Sequence, residues 1–187
     1  MKKSLITAVL STALFMPTFA NAADYKIDDA HTSVNFKVSH LGYSFIHGRF
    51  NKFDGQFSYD EANVEASKIT VNVDTSSLDS NHAERDKHIK SDDFINADKF
   101  SEAKFVSQKF TKNTDGSLAV SGNLTLHGIT KPVTIEANFI GAGEDPWGGY
   151  RVGFQGETRL ELVDFGIQVM GPASYVDMEL NVEGVRK

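Results

Sequence analysis

Four side chains able to hold a metal or move a proton stand close together in "DSNHAERDKHIKSDDF", Asp79 to Phe94: His82, Glu84, Asp86 and His88. Imidazoles and carboxylates are ordinary zinc ligands, and a glutamate beside such an ion can serve as general base. A helical zinc site needs two histidines four apart, so that both reach the ion from one face. Here they are six apart, which on a helix of about 3.6 residues per turn separates them by about 120° around the axis. One ion does not reach both from a regular helix. In an extended segment the four side chains would share a face, and a hydrolytic or metal-dependent site would regain its geometry.

The helical reading has more local support. Asn81 stands where an N-cap belongs, with Glu84 at the third helical position, close to a capping box. Glu84 with His88 and Asp86 with Lys90 are then favourable pairs four apart. Ser91 before Asp92 and Asp93 reads as a second cap, opening a short helix through Phe94 and Ile95. Ile89, Phe94, Ile95 and Phe100 give this insertion, near residues 81–97, an apolar side with which to cover an opening. Elsewhere His31, His40, His47 and His127 are isolated, and no G-x-S-x-G elbow, phosphate loop or dinucleotide fingerprint occurs. The expectation is a protein that is not an enzyme, with no catalytic residue, no metal and no cofactor; the hydrolase or metal-dependent enzyme built on His82, Glu84, Asp86 and His88 is the alternative.

The rest of the chain is written in period two. Apolar residues alternate at Val34, Phe36 and Val38; at Ile69, Val71 and Val73; at Leu118, Val120, Leu124 and Leu126; and at Val133, Ile135, Ala137 and Phe139. The same holds for Tyr150, Val152, Phe154, Leu160 and Leu162, and for Val176, Met178, Leu180 and Val182. Such alternation marks antiparallel strands covered on one side only. With weaker segments near Tyr43–Phe50, Gly55–Tyr59 and Lys104–Thr111, about eight strands follow, all-β, forming a sandwich or a closed barrel. Glycines within strands, at Gly122, Gly153 and Gly156, suit the bends of a barrel. Trp147, in the Asp145–Gly149 turn, is expected to pack over a barrel end.

"MKKSLITAVLSTALFMPTFANA" has a Lys-Lys start, an apolar run and an A-x-A finish, so residues 1–22 read as a secretory signal cleaved after Ala22 and residues 23–187 as one domain. Removing it leaves 17 basic and 25 acidic side chains, a formal charge of −8. That balance excludes a basic nucleic-acid footprint. The chain has no cysteine, so no disulfide framework is available.

Several stretches together resemble one family. "HTSVNFKVSHLGYSFIHGRFNKFDGQF", "NHAERDKHIKSDDF", "GNLTLHGITKPVTIE", "DPWGGYRVGF" and "DFGI" are similar, in this order, to the blocks of the YceI-like proteins. The resemblance implies an extended, lipocalin-like antiparallel β-barrel with a helical insertion. Its interior would hold a polyisoprenoid or similar amphiphile, an isoprenoid quinone or its precursor among the candidates, in a periplasmic binding or carrier protein. Asn81, Arg85, Asp86 and His88 carry over by position and, with Phe94, are expected to shape the helical cap, Arg85 pairing with Asp86 or a neighbouring acid to tie it to the rim. Alternation points Val34, Phe36, Val38, Val71, Leu124, Ile135, Phe154 and Met178 into the tunnel. The partners expected are a long-chain isoprenoid or other amphiphilic lipid, the inner membrane in transient contact and, as an option, a second copy of the chain.

Overall fold

The computed structural model describes residues 22–169 and 173–187, so the expected signal lies outside them except for Ala22. The described residues form eleven strands: β1 (Ala23–Ile27), β2 (Ser33–His40), β3 (Ser44–Phe50), β4 (Phe53–Tyr59), β5 (Lys68–Asp74), β6 (Leu78–Asp79), β7 (Glu102–Lys112), β8 (Leu118–Leu126), β9 (Ile129–Glu144), β10 (Tyr150–Glu161) and β11 (Tyr175–Arg186). One helix, α1 (Ala83–Lys90), lies between β6 and β7.

All pairings are antiparallel. They run β1-β4-β5-β7-β8-β9-β10-β11-β2-β3-β6, and β1 returns to pair with β11. Three long strands are each broken in two. β1 lies along β11 at Gly184 to Arg186, and β2 lies along it at Val176 to Asn181. In the same way β4 and β3 flank β1 and β2, and β5 and β6 flank β4 and β3. Each broken pair makes one stave, so the sheet is an eight-stave barrel closed on itself, the lipocalin-like architecture that the resemblance implied and one of the two that the alternation allowed. The ring from β1 through β4, β5 and β7 to β11 has no end, while among the described residues β6 and residues 44–48 of β3 pair on one side only.

Local chemistry sets the breaks. Between β1 and β2 the Thr32 N–H donates to the Asp28 carbonyl at 3.0 Å and the Ala30 N–H to the Asp28 carboxylate at 3.0 Å, an Asx-type turn. Between β5 and β6 the Thr75 hydroxyl, in a residue only 1% exposed, donates to the Phe100 carbonyl at 2.7 Å. Gly122 and Gly184 serve curvature differently: the rings of Phe105 and Phe57 lie where their Cβ atoms would stand, so the absent side chain makes room for an inward aromatic.

Where β1 begins and β11 finishes, Tyr25, Phe57, Tyr59, Phe139 and Phe154 form one aromatic group. Its ring centroids are 4.9 Å apart for Tyr59 and Phe154 and 5.0 Å for the stacked Tyr25 and Phe57. Tyr25 and Phe57 are buried, each such burial contributing about 1.5–3 kcal/mol, and with Tyr59 and Phe154 packed on them the rings plug this end, while Phe139 at its margin stays 39% exposed. At the other end Leu160, Phe165 and Ile167 are buried against Phe94, Ile95 and Leu126. Trp147 does not pack over either end. It is 79% exposed, and its turn is held instead by Asp145, whose carboxylate accepts from the N–H groups of Trp147 and Gly149 at 3.0 and 2.8 Å.

Candidate ligand cavity

Between the two packed ends the inward faces do not meet. They enclose a cavity of about 640 Å³. Val34, Phe36 and Val38 from β2, Val71 from β5, Leu124 from β8, Ile135 from β9, Phe154 from β10 and Met178 from β11 all line it. Seven of the eight are aliphatic or aromatic hydrocarbon, and Met178 adds a soft thioether. Among the described lining residues there is no Asp, Glu, Lys, Asn or Gln; the polar ones are Thr32, Ser39, His40, Ser58, Tyr59, Arg85, His88 and Thr158. Phe57, Tyr59 and Phe154 floor the cavity at the plugged end. Burial there, and then the nearby Glu61 and Asp60, raise the Tyr59 phenol above its ordinary value, so it stays neutral. The opposite rim is made by the β2–β3 hairpin at Ser39, His40 and Leu41, by α1, and by Leu162, Ile167 and Val169.

The capping segment is helical, but its details differ from the sequence expectation. His82, not Asn81, is the N-cap: its Nδ1 accepts the Arg85 N–H at 3.3 Å. Asn81 stands one step earlier in the left-handed region, φ 64°, which asparagine tolerates better than most residues, with its N–H on the Asp79 carboxylate at 2.8 Å. Ser80 fixes this entry and is 2% exposed. Its N–H donates to Asp86 Oδ1 at 2.8 Å, its hydroxyl donates to the same oxygen, and that hydroxyl accepts from Arg85 Nε at 2.7 Å. The Ser80 carbonyl accepts from Arg85 Nη2. Arg85 and Asp86 are thus joined through Ser80 rather than as a direct pair.

The four-apart pairs do not close either. Lys90 Nζ turns to the carbonyls of Leu78 and Ser76 at 3.0 and 3.2 Å, and His88 Nε2 lies 3.5 Å from Asp93. No second helix starts at Ser91. Its hydroxyl caps the end of α1, donating to the His88 carbonyl at 2.7 Å and accepting the Asp93 N–H at 3.3 Å, and turns follow. Phe94 then meets the His88 ring edge-on with centroids 4.8 Å apart. Arg85, His88 and Ile89, three and four residues apart, present one helix face to the cavity, and Phe94 joins them. Asn81 and Asp86 do not line it; Asn81 borders a separate cleft with Asn35, Arg49 and Asp79.

His82, Glu84, Asp86 and His88 are not brought together as a ligand set. Among the described residues the group whose ligand atoms lie within 4.8 Å of one another is Asp28, His31 and Glu183. A guanidinium already serves that group. Arg151 donates to Asp28 and Glu183 at 2.5 Å each and to Asp145 at 2.8 Å. Its hydrogen bond, and then that of His31, hold the Asp28 carboxyl down at about 2, and the three carboxylates together raise Arg151 above its ordinary value. This latch pins the β1–β2 break to β10 and β11. Sequence reasoning missed it because Asp28 and Arg151 are 123 residues apart and no local pattern links them.

Comparison with known proteins agrees with this architecture. A family model described as YceI-like domain matches residues 25–184. A UPF0312 protein of Vibrio cholerae serotype O1 is 66% identical over 189 residues, the full length of both chains. The crystal structure of BcnA from Burkholderia cenocepacia is similar in fold, with a TM-score of 0.76 at 21% identity over 84% of this chain and 98% of that one. A polyisoprenoid binding domain from Saccharophagus degradans, implicated in plant cell wall breakdown, has a TM-score of 0.65 at 14% identity, over 89% of this chain and 99% of that one. With the family model spanning nearly every described strand, the chain belongs to the YceI-like family.

Proposed function

We propose that the protein is a periplasmic carrier that holds the hydrocarbon chain of a polyisoprenoid or similar amphiphile inside the barrel, an isoprenoid quinone or its precursor among the candidates, without chemical change to it. The observation that carries this reading is the cavity: about 640 Å³ of space walled almost wholly by hydrocarbon. The signal-like residues 1–22 support the compartment, and the likeness in fold to the polyisoprenoid binding domain of Saccharophagus degradans supports the ligand class.

At about 30 Å³ per water-sized group, the cavity takes roughly 20 such groups. Burying that many methylenes is worth about 0.8 kcal/mol each relative to water, some 16 kcal/mol in all. That approaches the practical affinity ceiling of about 18–21 kcal/mol. Relative to a bilayer, which already buries the chain, the net is close to zero. The protein therefore suits exchange with a membrane, and a transient contact of the α1 end with the inner membrane is sufficient. Exposed Leu41, Tyr43 and Phe45 beside the rim suit that contact, since aromatic side chains favour the headgroup level. Walls of this kind select a chain for length and flexibility.

The test is native mass spectrometry of protein taken from the envelope, followed by organic extraction. The expected result is an adduct that extracts as a hydrocarbon-rich lipid. A bare polypeptide mass, with no uptake of offered prenyl lipids, overturns the reading.

A further inference from the structure

We propose that Arg85 is the head-group receptor of this cavity and that the ligand carries an oxyanion, a phosphate or a carboxylate, at the end of its apolar chain. The proposal rests on the carrier reading and adds the chemistry and direction of the bound molecule.

Arg85 is the one permanently charged side chain among the described residues lining the cavity. A guanidinium has five N–H donors. Two are used, one on the Ser80 hydroxyl and one on the Ser80 carbonyl. The other three have no protein acceptor among the described residues, and no carboxylate closes an ion pair with Arg85 there. Its link to negative charge is indirect, through the Ser80 hydroxyl to Asp86. Arg85 is half-buried, so its free donors are within reach of water, which a ligand oxyanion at the cavity rim can replace.

A latch alone needs no arginine whose helix face looks into the barrel, because Lys90 already ties α1 to the Leu78 and Ser76 carbonyls. The Ser80 contacts instead hold the guanidinium plane in place, and a fixed plane with free donors matches oxyanion geometry. The surroundings point the same way. His88, one turn along α1, and His40 and Ser39 on the facing hairpin add donors at this rim, whereas Asp60 and Glu61 follow Tyr59 at the plugged end. A chain with a net charge of −6 thus offers a negative head group one favourable place, at α1, with the tail directed toward Phe57 and Phe154.

The experiment compares geranylgeranyl phosphate, geranylgeranoic acid and geranylgeraniol, which share one chain, by competition in native mass spectrometry with the wild type, Arg85→Met and Arg85→Lys. Charge-assisted hydrogen bonds lead to the expectation that one or both anions bind the wild type at least about tenfold tighter than the alcohol. Arg85→Met brings all three within about threefold, and Arg85→Lys keeps part of the preference. Equal binding of the three by the wild type overturns the proposal while leaving the carrier reading intact, and so does an undiminished preference in Arg85→Met. Failure of all three to bind overturns the carrier reading and this proposal with it. Should Arg85→Met not fold, the wild-type comparison and Arg85→Lys decide alone.

Discussion

Leu124 packs against both the buried group around Phe105 and Val120 and the one around Leu160 and Phe165, so it stands midway along the cavity. Replacing it by tryptophan adds about six side-chain heavy atoms, and in an open interior these displace about six of the roughly 20 chain groups the space holds. At about 0.8 kcal/mol per methylene, a ligand that filled the cavity loses up to about 5 kcal/mol relative to water, or sheds about one isoprene unit. The assay offers an equimolar mixture of prenyl alcohols of about 10, 15, 20 and 25 carbons and reads occupancy by native mass spectrometry, the 0.8 kcal/mol increment setting the expected order. Wild type is expected to be occupied mainly by chains of about 20 carbons or more, and Leu124→Trp mainly by chains of about 15. Thermal unfolding supplies a second readout. In a filled core the added atoms would cost about 1–3 kcal/mol, whereas over a cavity the indole finds room and the loss stays below about 1 kcal/mol. An unchanged length distribution together with a large loss of stability would refute the reasoning, because it would mean that the interior is solid.

The Arg151 latch makes stability depend on acid. Asp28 falls from 3.8 to about 2; at 1.36 kcal/mol per unit this is about 2.5 kcal/mol unscreened, and about 1 kcal/mol once solvent screening at this partly open site is allowed for. Because the folded value is the lower one, that contribution is complete above about pH 4 and is lost as the pH falls through about 2; Asp28→Asn should lack it at neutral pH and show a flatter acid profile, and parallel acid-unfolding curves would contradict this. Ser80→Ala removes the hydroxyl link between Arg85 and Asp86, leaving the two backbone contacts, and should cost about 1–3 kcal/mol, with faster amide exchange across α1; unchanged exchange would show that the hydroxyl does not hold the helix. Elemental analysis of wild type and His88→Ala should find no stoichiometric zinc lost with the imidazole, and a stoichiometric ion lost in the variant would revive the enzyme reading.

How far the fold could be read from the sequence follows from where its determinants lie. Alternation is a local signal, and a strand in a one-sided sheet must send every second residue inward. For that reason Val34, Phe36, Val38, Val71, Leu124, Ile135, Phe154 and Met178 could be assigned to the interior from period alone, and the structure places all eight on one cavity. The same signal is blind to the volume they leave between them. Barrel and sandwich share the period, and only the return of β1 to β11 closes the ring. The capping segment shows the limit most clearly. Its helix was legible from charge spacing, but the cap moved from Asn81 to His82 because Asp79 and Asp86 take the backbone N–H groups of Asn81 and Ser80. The expected Asp86–Lys90 pair was lost because each side chain found a better partner outside the helix. Arg85 was legible as a tie to the rim. Its place on the cavity wall depended on the face that α1 turns inward, which the Ser80 contacts decide.

The most direct test of the central claim is a crystal structure of the protein loaded with a prenyl lipid. The account predicts one continuous, elongated density inside the barrel, running from Arg85 at the α1 end toward Phe57 and Phe154. Lipid density confined to the outer surface, with the interior closed by its own side chains, would contradict it.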